Sequence, residues 1–249
     1  MPDKGTTKKV IKVESGEVSS TTTVKNTKPF VTSDESMARA KKFRIFAIIS
    51  WIIAIGFEIG VIILLTKAPI NTFWLIVLIV ADLIFAVIGS MLWKKSNRLD
   101  PASEKDKIKF FLQNQLGVII SIIAFLPLAV LIFTNKEMTS KQKGIVGSIA
   151  IIAFLIAGIV GIDFNPPSQE QYAEQTEQVK TLNDGLNNVY WTKSGTSYHL
   201  FSDCFYINSD RTDEIFEGTV AQARELKNIT DLCDYCESRA IKEKGLDIK

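Results

Sequence analysis

The only histidine and all three cysteines of this 249-residue chain fall within one 38-residue stretch. His199 is followed by Cys204, and after a gap of 28 residues comes a pair with two residues between its members, Cys233 and Cys236. Thiolate and imidazole are the ligands of tetrahedral zinc, and a C-x2-C pair supplies two of them from one tight turn. We therefore predict a structural zinc site whose ligands are His199, Cys204, Cys233 and Cys236.

Two other interpretations of these residues stay open at the level of sequence. A disulfide would use two of the three cysteines and leave the third unpaired, and thiols persist in a reducing cytosol. In a metal-free fold, the cysteines would instead behave as small buried hydrophobic residues.

The rest of the chain is dominated by apolar residues, which make up 47% of the sequence and are concentrated in four long runs. Each run is roughly 20 residues long, enough to cross about 30 Å of hydrocarbon as a helix. We predict an all-α four-helix transmembrane bundle over residues 37–165, followed by a small C-terminal α+β zinc-binding module. The predicted spans are residues 44–65, 73–93, 116–133 and 145–162.

The segments outside the four spans have different compositions. Residues 1–36 are rich in Ser, Thr and Lys without a sustained period, which predicts a disordered cytoplasmic tail. Residues 166–186 favour a juxtamembrane helix or linker, and residues 187–249 form the predicted zinc-binding module. Within that module, alternation over residues 189–192 predicts a strand, and residues 219–228 carry the capping signals of a helix.

Basic residues lie mainly before the first span and between the second and third spans, which predicts that these segments face the cytoplasm. Four spans then return the C-terminus to the same side. We predict a multi-pass protein of the cell membrane with both termini in the cytoplasm, where thiolates stay reduced. The basic residues in question are Arg39, Lys41, Lys42, Arg44, Lys94, Lys95, Arg98, Lys105, Lys107 and Lys109.

Two carboxyl groups, Glu58 and Asp82, fall inside the predicted spans, where ionisable groups are costly and often functional. Counted at about 1.5 Å per residue along antiparallel helices, they lie at similar depth. Since the spans hold no basic residue apart from Arg44 at the outer end of the first, the two are not both ionised. They form either a proton or cation site or a pair of neutral acids joined by a hydrogen bond between helices.

A stripe of small residues in the fourth span predicts a helix-packing face, because it lets a neighbouring backbone approach closely. The stripe consists of Ala150, Ala153, Ala157 and Gly161. It fits packing within the chain's own bundle and packing in a homo-oligomer equally well.

Residues 189–237 resemble the small zinc-binding module found at the ends of many bacterial membrane and nuclease-like proteins, which is distantly similar to the metal-binding domain of the DNA-repair protein Ada. The resemblance implies a fold and a metal. Ada uses four cysteines, one of them reactive, whereas His199 replaces a thiolate here, so methyl-acceptor chemistry is not implied. The shared elements are Tyr190-Trp191-Thr192, Gly195, Tyr198-His199, Cys204, Gly218-Thr219, Ala223 and Cys233-x2-Cys236.

The sequence favours a non-enzymatic interaction or regulatory protein whose partners are the lipid bilayer and a cytosolic protein. A closed Cys3His shell leaves no coordination position for a substrate. One alternative is a small transporter or channel component that uses Glu58 and Asp82. Another is a membrane-tethered nucleic-acid binder or processing enzyme. Nucleic acid is disfavoured because residues 190–249 hold eight lysines and arginines against eleven aspartates and glutamates.

Overall fold

The computed structural model describes residues 9–13 and 32–245 and separates the chain into two compact units. The helical unit comprises residues 34–168. The mixed unit comprises residues 9–13 together with the segment from residue 169 onward. The helices are α1 (Asp34–Leu65), α2 (Thr72–Leu99), α3 (Lys107–Thr134), α4 (Ser140–Gly161), α5 (Gln169–Leu182), α6 (Val220–Lys227) and α7 (Asp234–Lys244). The strands are β1 (Lys9–Lys12), β2 (Val189–Thr192), β3 (Ser197–Tyr198), β4 (Glu214–Gly218) and β5 (Asp231–Leu232).

The helical unit consists of α1 to α4, and each of these helices is long and apolar enough to cross a membrane. All four helices extend beyond the predicted apolar spans at one or both ends, since polar residues such as those at the start of α1 also sustain a helix. At most 33% of the most apolar window of any of the four helices is buried. The outer surface of this unit is therefore mainly aliphatic and aromatic.

Small residues allow the helices of this unit to approach closely. At Gly161 of α4, an added Cβ atom would lie 2.6 Å from the backbone nitrogen of Val118 and 2.7 Å from the carbonyl carbon of Gly117. The other members of the predicted stripe, Ala150, Ala153 and Ala157, are all buried. The stripe thus packs inside the bundle of a single chain.

Polar side chains close one end of the helical unit. Arg44 of α1 forms an ion pair of 2.8 Å with Asp100, at the end of α2. The Lys94 ammonium donates to the carbonyl of Ile162, which follows α4, over 2.8 Å. The Trp93 indole donates to the Gln113 carbonyl over 2.7 Å. These side chains form hydrogen bonds and an ion pair with groups at the helix ends. All of them lie at the end of the bundle where α1 begins.

The mixed unit contains a three-stranded sheet in the order β1-β4-β2 and a two-stranded sheet formed by β3 and β5. Its core includes Trp191, which is 1% exposed and stacks with Phe216 at 6.2 Å between ring centroids. Strand β2 and helix α6 occur where the sequence predicted them, with Thr219 as the N-cap and Asn228 as a left-handed C-cap. The sequence did not predict β4 and β5, which are short and become regular through their pairing partners.

Two segments differ from the sequence-based expectation. Residues 9–12, expected to be part of a disordered tail, form β1, because β4 offers them a free edge. Residues 34–36, also part of that expected tail, form the first turn of α1, because a helix of mainly apolar residues continues directly from them. Residues 1–8 and 14–31 lie outside the described residues. Residues 166–186 were expected as a juxtamembrane helix or linker, and residues 169–182 form the helix α5. The difference is that α5 packs into the core of the mixed unit, because Val179 and Leu182 share its buried face.

Candidate metal centre

The hairpin between β2 and β3 positions His199, the first predicted ligand. Tyr190 and His199 exchange two backbone hydrogen bonds, each of 2.7 Å. This pairing places His199 directly after β3. The imidazole is 5% exposed and therefore lies inside the unit.

Cys204 follows in a tight turn. Its backbone carbonyl accepts hydrogen bonds from the amides of Ile207 and Asn208, over 3.0 and 2.8 Å. Its own amide donates to Phe201 over 3.2 Å. These bonds reverse the chain and leave the Cys204 side chain 1% exposed.

The ladder between β3 and β5 brings the second half of the ligand set to the first. Leu232 pairs with Tyr198, and the Cys233 amide donates to the Tyr198 carbonyl over 2.9 Å. Cys233 is the N-cap of α7, and Cys236 lies in the first turn of that helix. A pairing of two residues per strand therefore sets the C-x2-C turn beside His199.

The four predicted ligands form one buried cluster that can hold a metal ion. One donor atom from each residue lies within 4.8 Å of all the others, and the Sγ atom of Cys236 is 3.7 Å from Nδ1 of His199. Tetrahedral zinc bonds of about 2.0 to 2.3 Å would place donor atoms roughly 3.5 to 3.8 Å apart. The sulfurs form no disulfide. A small contraction of the cluster would complete a four-coordinate site.

The electrostatics of this cluster suit a cation. Burial lowers the pKa of His199 to about 4, so the imidazole is neutral and keeps a lone pair for a metal. Burial raises the pKa of Cys236 to about 12, opposed by backbone hydrogen bonds from Phe201 and Leu200. Burial also raises the pKa of Cys204. Without a cation, these thiols hold their protons, and a bound metal displaces them.

Aromatic side chains that the sequence analysis did not assign to the site surround it on the outside. The ring centroids of Phe205 and Tyr206 lie 4.0 Å apart, and the ring centroid of Tyr235 lies 4.8 Å from that of Phe205. All three residues are exposed. Tyr206 and Tyr235 line a cavity of about 520 Å³ beside His199 and Cys233. These rings could have been assigned to the site from the sequence, because they lie next to Cys204 and between Cys233 and Cys236. Where a ligand points inward, its neighbours in the chain face outward.

A second unpredicted feature is Arg224 of α6, whose guanidinium is 2% exposed. It donates to Gln175 over 2.8 Å and to Gln171 over 3.0 Å, and it lies 4.8 Å from the ring centroid of Tyr172. All three partners belong to α5. These contacts to neutral side chains join α6 to α5, and Gln175 adds a hydrogen bond of 2.6 Å from α5 to the Thr230 carbonyl.

Glu58 and Asp82 lie at the same level of the helical unit. The indole of Trp51 on α1 packs against Gly89 on α2, so these two residues lie at one level. Glu58 follows Trp51 by seven residues and Asp82 precedes Gly89 by seven, which is about two helical turns in each case. Asp82 is fully buried. Among the described residues, neither of its carboxylate oxygens has a hydrogen-bond partner. Counting thus places the two carboxyl groups at similar depth, and Asp82 does not form the predicted hydrogen bond between helices with any described residue.

The resemblance of residues 189–237 to the Ada-related zinc modules stays a prediction from the sequence. No protein-family model, no curated protein and no solved structure matches this chain.

Proposed function

We propose that this chain is a multi-pass membrane protein whose mixed unit is held together by a structural zinc ion and acts as a cytosolic interaction module. One observation carries the proposal: His199 and the three cysteines are all buried in a single cluster of four donors. Four protein ligands fill a tetrahedral shell and leave no position for water or substrate. This favours a structural role over Lewis-acid catalysis.

Zinc is the metal that this donor set favours. Three thiolates and one imidazole are soft or borderline ligands, which select zinc over magnesium or calcium. Elemental analysis of the intact chain in detergent tests the assignment, with one zinc per chain as the expected result. The exposed rings of Phe205, Tyr206 and Tyr235 support the interaction role, because aromatic side chains supply much of the binding energy at protein interfaces.

The outer surface of the helical unit supports the membrane assignment. Large apolar side chains there face outward, with Ile52, Phe73 and Ile123 each more than 60% exposed. Polar residues such as Asp82 and Asn114 are buried instead. In water such a surface would aggregate, whereas hydrocarbon solvates it.

Strand pairing in the mixed unit supports placing both ends of the chain on one side of the membrane. Residues 9–12 precede the four apolar helices and residues 214–217 follow them, and yet the two segments are paired in one sheet. A membrane cannot separate two strands that share hydrogen bonds. An even number of spans satisfies this condition, and the basic residues near Arg44 and Lys94 favour the cytosolic side.

Labelling of single introduced cysteines from outside the cell tests this topology. We expect Lys67→Cys and Lys136→Cys to react with an impermeant thiol reagent in intact cells, because the α1–α2 and α3–α4 connections face outward in our proposal. Lys105→Cys should react only after lysis. The unmodified chain is the control, since its own cysteines are buried. If Lys105→Cys were the only one of the three variants to react in intact cells, the orientation would be the opposite of the one proposed.

A second candidate function, a proton or cation pathway through the helical unit, is favoured by Asp82. A fully buried carboxyl group without a hydrogen-bond partner among the described residues is expensive in an apolar bundle. Intramembrane carboxyl groups of this kind frequently belong to ion or proton pathways. Glu58, at the same level of α1, is the group with which Asp82 would share a proton or a cation.

Replacement of Asp82 separates the two candidate functions. We expect Asp82→Leu to raise the free energy of unfolding in detergent by about 1 to 3 kcal/mol, because it removes an unsatisfied buried polar group. Asp82→Asn keeps the polarity and should change stability little. If the protein conducts protons or cations in liposomes and both Asp82→Asn and Glu58→Gln abolish the flux, the pathway is the function of the helical unit. Unchanged flux, or no flux in the unmodified chain, excludes it.

A further inference from the structure

Strand β1 is an isolated edge strand bound to a distant part of the chain. Its four residues run parallel to β4, with Lys9 opposite Glu214 and Lys12 opposite Glu217. Residues 13–33 separate it from α1, and the whole helical unit lies between it and β4 in sequence. Its described contacts thus resemble those of an extended peptide added to the edge of a sheet.

The two strands complement each other in charge and in apolar pattern. β1 reads Lys-Val-Ile-Lys and β4 reads Glu-Ile-Phe-Glu before its final glycine. The Lys12 ammonium lies 4.0 Å from the Glu217 carboxylate. A pair whose lysine is this exposed adds little stability. The ladder aligns a lysine with a glutamate at each end of β1, and a shifted register would lose both matches.

The edge also has a clamp at the end of β1. The Val13 amide donates to the Glu217 carbonyl over 2.9 Å, and the Gln222 amide donates to the Val13 carbonyl over 3.3 Å. The side-chain oxygen of Gln222 simultaneously accepts from the Thr219 amide, over 2.7 Å, at the N-terminus of α6. The cap of α6 therefore orients Gln222. The side chain that holds Val13 is thus fixed by its own helix and not by β1.

β4 itself is held from its other side. Four of its five residues, Ile215 to Gly218, pair antiparallel with β2. Ile215 is also buried in the core. Removal of β1 would leave β4 in place and expose a row of unpaired backbone groups, which is a template for another strand.

By contrast, β1 is weakly held. Val10 is 45% exposed and the Lys12 side chain is 80% exposed. Ile11 is half-buried, and Val13, directly after the strand, is half-buried and packs against the core of the mixed unit. Ordering each backbone residue costs about 1 to 2 kcal/mol, which offsets most of the gain from so few contacts. A strand of this kind can be exchanged for a competing segment.

We propose that the edge of β4 is a docking site for an extended segment of a partner protein with the pattern lysine, two apolar residues, lysine and a further apolar residue. Residues 9–13 of the chain itself occupy this edge as a built-in competitor. The inference deepens the interaction role proposed above and rests on it, because the edge exists only in a folded mixed unit. The acidic residues Glu214 and Glu217 determine the preference for a basic segment.

A labelled synthetic peptide with the sequence of residues 7–14 tests this inference. The peptide is titrated against the full chain in detergent and against a variant that lacks residues 1–13. We expect the truncated variant to bind the peptide at least about tenfold more tightly, because a tethered competitor acts at an effective concentration in the millimolar range. Both proteins should contain one zinc per chain.

A charge-exchange pair provides the matched control. In the truncated variant, Glu214→Lys combined with Glu217→Lys should abolish binding of the native peptide. The same variant should bind a peptide in which glutamate replaces the residues equivalent to Lys9 and Lys12. Restored binding shows that the doubly substituted edge is folded.

Four outcomes would overturn the inference. The first is that the truncated variant, with its zinc intact, does not bind the peptide. The second is that both proteins bind it equally, which places binding elsewhere. The third is loss of zinc on truncation, which would show that the mixed unit needs β1 in order to fold. Dimers of the full chain that disappear on truncation would identify a second copy as the occupant. Absence of zinc from the full chain, with peptide binding retained, would contradict the metal assignment alone.

Discussion

Chelation of the bound metal is expected to unfold the mixed unit and to leave the helical unit folded. Structural zinc contributes roughly 10 to 16 kcal/mol at neutral pH, which equals or exceeds the 5 to 15 kcal/mol that stabilises a typical domain. Three of the core residues of the mixed unit are the cysteines of the proposed zinc site. Loss of the metal therefore removes the link between the β3 hairpin and the start of α7.

Thiol titration and limited proteolysis measure this effect on the intact chain in detergent. With metal bound, the three cysteines should resist a thiol reagent; after chelation all three should react, and proteases should cut within residues 187–245 while residues 34–161 persist. Cys236→Ser should reproduce the chelated state. Tyr235→Ala, which changes an exposed residue inside the same turn, should keep one zinc per chain. Equal protease resistance with and without metal would contradict a structural role.

Gly161→Ala is expected to be the most destabilising conservative substitution in the helical unit. Its new Cβ atom would lie 2.6 Å from the Val118 nitrogen and 2.8 Å from the Gly117 carbonyl oxygen. These are backbone atoms, so relief requires α3 and α4 to separate. Overpacking of this kind costs about 1 to 3 kcal/mol, and we expect the upper end because no side chain can rotate away.

Gly158→Ala in the same helix is the matched control. A Cβ atom at Gly158 would meet nothing within 4 Å, and alanine is favoured over glycine in a helix by roughly 0.5 to 1 kcal/mol. Thermal unfolding in detergent should therefore show a lower midpoint for Gly161→Ala and an equal or higher midpoint for Gly158→Ala. Similar midpoints for the two variants would mean that α3 and α4 do not approach as closely as described.

The ligand set and the four apolar helices could be predicted from the sequence because each depends on a local property. Clustering of the only histidine with every cysteine is visible as spacing, and a run of about 20 apolar residues specifies a helix in any arrangement. The caps of α6 were equally local, since Thr219 and Asn228 act on their own turns.

Tertiary structure alone decided which segments share a core. Neither β4 nor β5 is regular without its partners, and residues 9–13 become a strand only because β4 offers a complementary edge. Likewise α5 joins the mixed unit through Arg224, and the small residues of α4 pack inside one chain because Gly117 faces Gly161. These contacts join residues that are tens to hundreds of positions apart, and local propensity carries no information about such pairings.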